Sequence, residues 1–166
     1  MLVVHPLEPI FDARSRALIL GTMPSPKSRE ARFYYAHPQN RFWRVMAAVF
    51  DSPLPVTNDE RRDFILAHRL ALWDVLRSCE IAGASDASIK NPVANDLSVV
   101  LDRAPIRAIF CTGTRAAALY RRLAEPVTKV PAVALPSTSP ANCAVSFDRL
   151  VAAYAPVKTA VTDETN

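Results

Sequence analysis

Glycine is scarce in this chain, with three among 166 residues, and neither GxxxxGKS/T nor GxGxxG occurs. Loops that cradle phosphates in P-loop and dinucleotide-binding proteins need those glycines, so both readings lack local support. Cysteine is as sparse. Cys79, Cys111 and Cys143 are odd in number, far apart and never spaced CxxC, which argues against a zinc site or an iron–sulfur cluster. Each is expected to be a small, buried, reduced thiol. The histidines His5, His37 and His68 are scattered, with no HExxH pair, so neither a metal nor another cofactor is implied. No GxSxG elbow is present, and Lys27, Lys90 and Lys129 lie in loops or beside prolines, where a desolvated lysine nucleophile is not expected. No apolar run approaches the roughly 20 residues that cross a bilayer. The opening MLVVHPLEPI lacks a basic region and a small-residue cleavage pattern, so a cytoplasmic location without membrane contact is expected.

What is present fits one globular domain. Half of the residues are hydrophobic and 22% are charged, and the length suffices for a single core. The net charge of +4 fits an anionic partner, although by itself this signal is weak.

Apolar runs at Ala17–Leu20, Leu70–Leu76, Ile106–Cys111 and Val130–Leu135 read as buried strands, the second closing on Asp74. After the first, Pro24 and Pro26 are expected to force a loop rather than a helix. A helix is expected from Pro38 to about Phe50, with Phe42, Val45, Met46 and Val49 on its buried stripe. Thr57 and Glu60 fit a capping box for a second helix. Asn95 and Asp96 can cap a third that ends before Pro105, and further helices are read at Thr114–Leu123 and Ser146–Tyr154. Val3–Phe11 reads as an extended lead-in and Ser78–Pro92 as irregular. A single domain over 1–157 and a frayed tail at 158–166 complete the expectation. Alternation of strands with helices predicts a three-layer α/β/α sandwich around a four-stranded, mostly parallel sheet.

In such sheets ligands bind beyond the carboxyl ends of the strands. Those ends carry Gly21-Thr22, Asp74, Thr112-Gly113 and the Pro-Ser-Thr-Ser segment at 136–139. Between the first strand and the first long helix lies Phe33-Tyr34-Tyr35-Ala36-His37-Pro38-Gln39-Asn40, surrounded by Lys27, Arg29, Arg32, Arg41 and Arg44. Aromatic rings among cations suit nucleic acid, rings stacking on bases and cations meeting phosphates. Helical spacing offers a plainer account for Phe42 and Trp43, which are expected in the core. Tyr35 precedes the helix at the mouth of the strand-end crevice.

The string GTMP, followed by FYYAHPQNRFW and then LPSTSPAN, resembles the uracil-DNA glycosylase superfamily over residues 17 to 154. The loop and helix look like those of the mismatch-specific thymine/uracil glycosylases. The whole combination is most similar to the branch of deoxyinosine (hypoxanthine)-DNA glycosylases. The resemblance implies a monofunctional enzyme that flips a deaminated base out of DNA and hydrolyses its N-glycosidic bond, acting as a monomer ahead of abasic-site repair enzymes. Under it, Tyr35 would stack on the base, and Gly21, Thr22 and Met23 would form the pocket wall with Asn95 nearby. Ser137, Thr138 and Ser139 would grip phosphates, while Pro140, Ala141 and Asn142 would enter the vacated stack.

Three departures count against ordinary uracil excision. Met23 stands where the mismatch enzymes have a water-positioning Asn, the Asp of the uracil-specific first motif is missing, and Leu135 or Ser137 stands in place of their His. Asn40 is the remaining amide, and the resemblance implies that it orients water or stabilises the leaving base. Capping of the following helix explains Asn40 nearly as well, and capping explains Asn95 equally well. His37 is read as a hydrogen-bonded structural residue. The alternatives are a mismatch-type uracil/thymine glycosylase and a non-catalytic DNA-binding module on the same fold.

Overall fold

The computed structural model describes residues 1–82 and 88–162. Four parallel strands form the central sheet in the order β3-β2-β6-β7, comprising β2 (Ala17–Gly21), β3 (Leu70–Asp74), β6 (Ala108–Thr112) and β7 (Ala132–Leu135). All residues of β2 and β3 are buried, as a strand covered on both faces must be. The helices that cover the sheet are α2 (Phe42–Val49), α3 (Asn58–Ala67), α5 (Thr114–Leu119) and α7 (Phe147–Thr162), giving the expected α/β architecture. No helix among the described residues is long and apolar enough to cross a membrane.

Local chemistry accounts for several boundaries. Thr57 and Glu60 form the capping box of α3, the Thr57 Oγ1 accepting from the Glu60 N–H while Glu60 Oε1 accepts from the Thr57 N–H. The loop after β2 contains a short helix, α1 (Pro26–Ala31), which corrects the expectation of a plain loop. Pro26 sits in its first turn, where a missing N–H costs nothing, and Ser25 caps it through the Ser28 N–H. Helix α2 begins at Phe42, not Pro38; the intervening residues form turns. The chain beyond Thr114 stays helical through a π-turn at Tyr120–Ala124 and α6 (Glu125–Thr128).

Two further expectations are corrected. The strand read from Leu70 closes on Asp74 as expected, but Leu76–Glu80 then forms β4 of a second, antiparallel sheet with β1 (Leu2–Val4) and β5 (Lys90–Ala94). That sheet replaces the irregular segment read at Ser78–Pro92, of which residues 83–87 lie outside the described residues. The last helix runs past Tyr154 and Pro156 to Thr162, with Val157 and Val161 buried against the core. The tail expected from residue 158 is therefore helical through 162, because its apolar residues continue the buried stripe; residues 163–166 lie outside the described residues. The remaining short helix, α4 (Ser98–Leu101), begins after Asp96, whose Oδ1 accepts from the Ser98 N–H.

Candidate active site

The carboxyl ends of β2, β3 and β6 open on a cleft of about 340 Å³, within the range of ligand-sized sites (~300–1,000 Å³). Gly21, Thr22, Met23, Tyr35 and Asn40 all line it, and so do Ser137, Thr138, Ser139, Pro140 and Ala141 from the segment after β7. Ten residues singled out from sequence thus meet in one place. Two do not line it. The Asn95 amide is spent on the Asp74 and Leu76 carbonyls, where it bridges the break between β3 and β4. The Asn142 amide donates to the Ser137 carbonyl at 2.8 Å and braces the loop from within.

Tyr35 takes a backbone conformation that a bulky side chain seldom adopts, with φ at +52°. The turn lays its ring on Phe42, centroids 3.9 Å apart and planes 9° from parallel, and brings its hydroxyl to Thr112 Oγ1 at 3.2 Å. Burial, with the nearby Asp74 charge, pushes its phenol well above the ordinary range, so the ring stays neutral. Phe42 and Trp43 are core residues, as expected, and the Trp43 indole N–H donates to the Tyr34 carbonyl. A stacked pair with one ring lining the cleft is a firm platform for a planar ligand.

Asn40 is held by two bonds to one atom. Its Oδ1 accepts from the Phe42 N–H at 2.9 Å and from the Thr138 hydroxyl at 2.8 Å. The backbone N–H can only donate, so the oxygen must face it and the amide orientation is fixed. Capping and a cleft role therefore coexist: the carbonyl half anchors α2, and the NH₂ half has no protein partner among the described residues. Thr138, buried to 1% exposure, commits its hydroxyl to Asn40. It is thus a positioning group, not the phosphate contact expected from sequence. His37 Nδ1 accepts from the Gln39 N–H and shapes the turn before Asn40.

Arg41 was expected among the DNA-facing cations, yet its guanidinium points inward. It donates to the Val145 carbonyl at 2.7 Å and to the Asn142 carbonyl at 3.0 Å, clamping the loop at 139–145. Arg29 donates to the Pro24 carbonyl. The Tyr154 hydroxyl donates to the Pro136 carbonyl, tying α7 to the start of that loop.

The sequence reading missed a buried pair, one member of which lines the cleft. His5 Nε2 lies 2.7 Å from Asp74 Oδ2, with side-chain exposures of 2% and 6%. Asp74 lines the cleft at the end of β3, and its Oδ1 stands 2.5 Å from where a Cβ on Gly21 would sit. Only glycine leaves room for it. No group of three or more metal-ligating side chains occurs among the described residues.

A doubly covered parallel sheet with an aromatic platform, a fixed amide and a Ser/Thr-rich loop at its strand ends defines an α/β fold with a cleft suited to a planar ligand. The chain belongs to the uracil DNA glycosylase superfamily, whose family model matches residues 8–157. It is 33% identical over 144 residues to a hypoxanthine DNA glycosylase of Methanosarcina acetivorans, covering 84% of this chain and 89% of that protein. It is also 33% identical over 98 residues to a hypoxanthine DNA glycosylase of Methanosarcina barkeri, there covering 58% of this chain and 62% of that protein. The solution NMR structure of a proposed uracil DNA glycosylase from Methanosarcina acetivorans superposes with a TM-score of 0.78 at 25% identity, over 95% of this chain and 99% of that one.

Proposed function

We propose that this protein is a monofunctional DNA glycosylase that hydrolyses the N-glycosidic bond of a flipped deaminated base, hypoxanthine first and uracil second. The observation that carries the reading is Asn40, whose oxygen is fully engaged by Phe42 and Thr138 while its NH₂ faces no protein acceptor. In that state the amide offers only hydrogen-bond donation. It can orient a water through the water's oxygen, or stabilise negative charge on the departing base as the bond loosens towards an oxocarbenium ion. It cannot act as a base. Tyr35 supplies the stacking face, and the Ser137 and Ser139 hydroxyls stand beside the phosphates of the extruded nucleotide. The 33% identity to proteins described as hypoxanthine DNA glycosylases supports the choice of base. The product is an abasic site, handed to abasic-site repair enzymes.

The test is excision from matched DNA duplexes carrying one deoxyinosine, one uracil or one G·T mismatch, with alkaline heating to reveal abasic sites. Asn40→Asp is the informative variant, because a carboxylate keeps both accepted bonds and removes the N–H donors. Inosine cleavage by the wild type that falls at least a hundredfold in Asn40→Asp, without loss of folding, is the expected result. Cleavage only at uracil or G·T would move the substrate to the mismatch class. Binding without cleavage of any duplex would overturn the enzymatic reading.

A further inference from the structure

His5 precedes residue 8, where the match to the family model begins, yet it reaches Asp74 in the cleft wall. Strand β1 pairs with β4, the His5 N–H donates to the Arg77 carbonyl, and the Tyr34 hydroxyl donates to the Glu8 carbonyl. This strap carries the imidazole against Asp74. The imidazole's charge state follows from its other nitrogen. Nδ1 accepts from the Leu7 N–H at 3.1 Å, so it bears no proton. Nε2 must then carry one and donate it to Asp74 Oδ2. The pair is a neutral histidine and a carboxylate, not an ion pair.

The Asp74 charge is therefore left uncancelled. No lysine or arginine pairs with it among the described residues, whose other ion pairs lie at Arg14–Asp12 and Lys27–Glu30. Oδ2 is taken by His5, and Oδ1 receives no hydrogen bond from the described residues. Asp74 lines the cleft, so Oδ1 is left there as an acceptor open to a ligand. Asp74 is almost wholly buried where Asn40 is half-buried at the rim, so the deep end receives the edge of a base remote from its sugar.

We propose that His5 is a positioning residue that holds Asp74 as an anionic, acceptor-only floor, and that this floor selects bases whose remote edge presents a ring N–H. The inference rests on the glycosylase reading and specifies what it recognises. Adenine presents an unprotonated N1 and cytosine an unprotonated N3, and each lone pair would face the carboxylate. Deamination turns the first into the N1–H of hypoxanthine and the second into the N3–H of uracil. An anionic acceptor at this position reads the chemical change of deamination itself. Guanine and thymine also carry a ring N–H, so their exclusion falls to the cleft walls.

The experiment compares single-turnover excision of deoxyinosine with that of deoxynebularine, a purine lacking both O6 and the N1 proton. Wild type, Asp74→Asn, His5→Leu and His5→Gln are measured, with thermal unfolding as a check on each fold. In Asp74→Asn an amide N–H can meet the nebularine N1, and the inosine preference should fall at least tenfold. His5→Leu fills the space without a donor and should lower the preference several-fold. His5→Gln, whose amide N–H can replace Nε2–H, should restore it; a residue needed only for packing would show no such rescue. A preference within twofold of wild type in both folded Asp74→Asn and His5→Leu would overturn the proposal. A wild type that excises inosine nowhere would overturn the glycosylase reading, and this inference with it.

Discussion

Replacing Gly21 by alanine should damage the protein through one atom, the Asp74 Oδ1. Gly21 does not occupy the left-handed region of backbone space, so alanine meets no backbone strain there; the added Cβ meets Asp74 Oδ1 at 2.5 Å and the Tyr35 hydroxyl at 3.4 Å. Ordinary contact begins near 3.4 Å, so the carboxylate must retreat by about 0.9 Å. If Oδ2 moves with it, its 2.7 Å bond to His5 lengthens to about 3.6 Å and ceases to be one. Losing a hydrogen bond to a charged group costs about 1.5–3 kcal/mol, and overpacking about 1–3 kcal/mol. The two overlap, so a total of about 2–4 kcal/mol is expected, or ~5–15 °C in Tm for a chain of this size.

A double-mutant cycle isolates the cause. In an Asp74→Ala background the clash is gone, and Gly21→Ala should become neutral or stabilise by about 0.4–1 kcal/mol by restricting the unfolded chain. Urea unfolding of the four proteins gives the coupling, expected near 2 kcal/mol or more. An equal cost of Gly21→Ala in both backgrounds would refute the assignment of Asp74 as the obstacle, and a cost below about 0.5 kcal/mol in wild type would refute the geometry.

Three further outcomes are expected. Arg41→Ala removes two charge-assisted bonds to the loop at 139–145, so amide exchange should accelerate there by about tenfold or more while the central strands stay protected; Arg41→Lys, which lacks the fork, should not rescue it, and uniform exchange would count against the clamp. Cys143 is exposed whereas Cys79 and Cys111 are buried, so a thiol reagent should modify one cysteine quickly in native protein and the other two only on unfolding. Burial pushes the Cys111 thiol from an ordinary 9.0 up to about 12 and raises the Tyr34, Tyr35 and Tyr154 phenols too. Groups that ionise more readily unfolded than folded withdraw stability as pH rises, so Tm should drop between pH 9 and 12, Cys111 alone contributing up to about 4 kcal/mol; a flat Tm over that range would contradict it.

Much of the architecture was legible because its signals are local. The four parallel strands announce themselves as apolar runs, and α3 by a capping box that forms as read. The second sheet was illegible because β1 and β5 are short, half-exposed and interrupted at Pro92, so no alternation marks them. Two prolines lie within helices, Pro26 where the sequence reading expects a loop and Pro156 inside α7. A first-turn proline permits a helix, and tertiary packing of Val157 and Val161 carries α7 past an internal one. In the site, Asn40 and Tyr35 stood out because their motif is contiguous. His5 and Asp74 are 69 residues apart, and a lone histidine in a proline-rich lead-in carries no pattern. The available signal was an aspartate closing a wholly apolar strand, where a charge needs a partner.

Under the proposed function, the two halves of the site would divide the labour in a way that accounts for the residues missing from the motifs. A glycosylase that reads uracil through a histidine donor and activates water with an aspartate places charge and proton transfer at the bond being broken. On the proposed reading the arrangement here is reversed: the rim offers a neutral amide donor, and the one buried charged side chain among the described residues, Asp74, lies at the far end of the cleft. On that reading the amide would supply positional and electrostatic help alone, and catalysis would lean on how well the departing base carries negative charge. The proposed floor would then have to choose the base strictly, an acceptor-only carboxylate disfavouring the unprotonated ring nitrogen of adenine or cytosine by repulsion as well as by a missing bond. A chain without the Asp, Asn and His of those motifs could still be selective on this proposal, because the selection would rest on Asp74 and on a histidine outside the motifs.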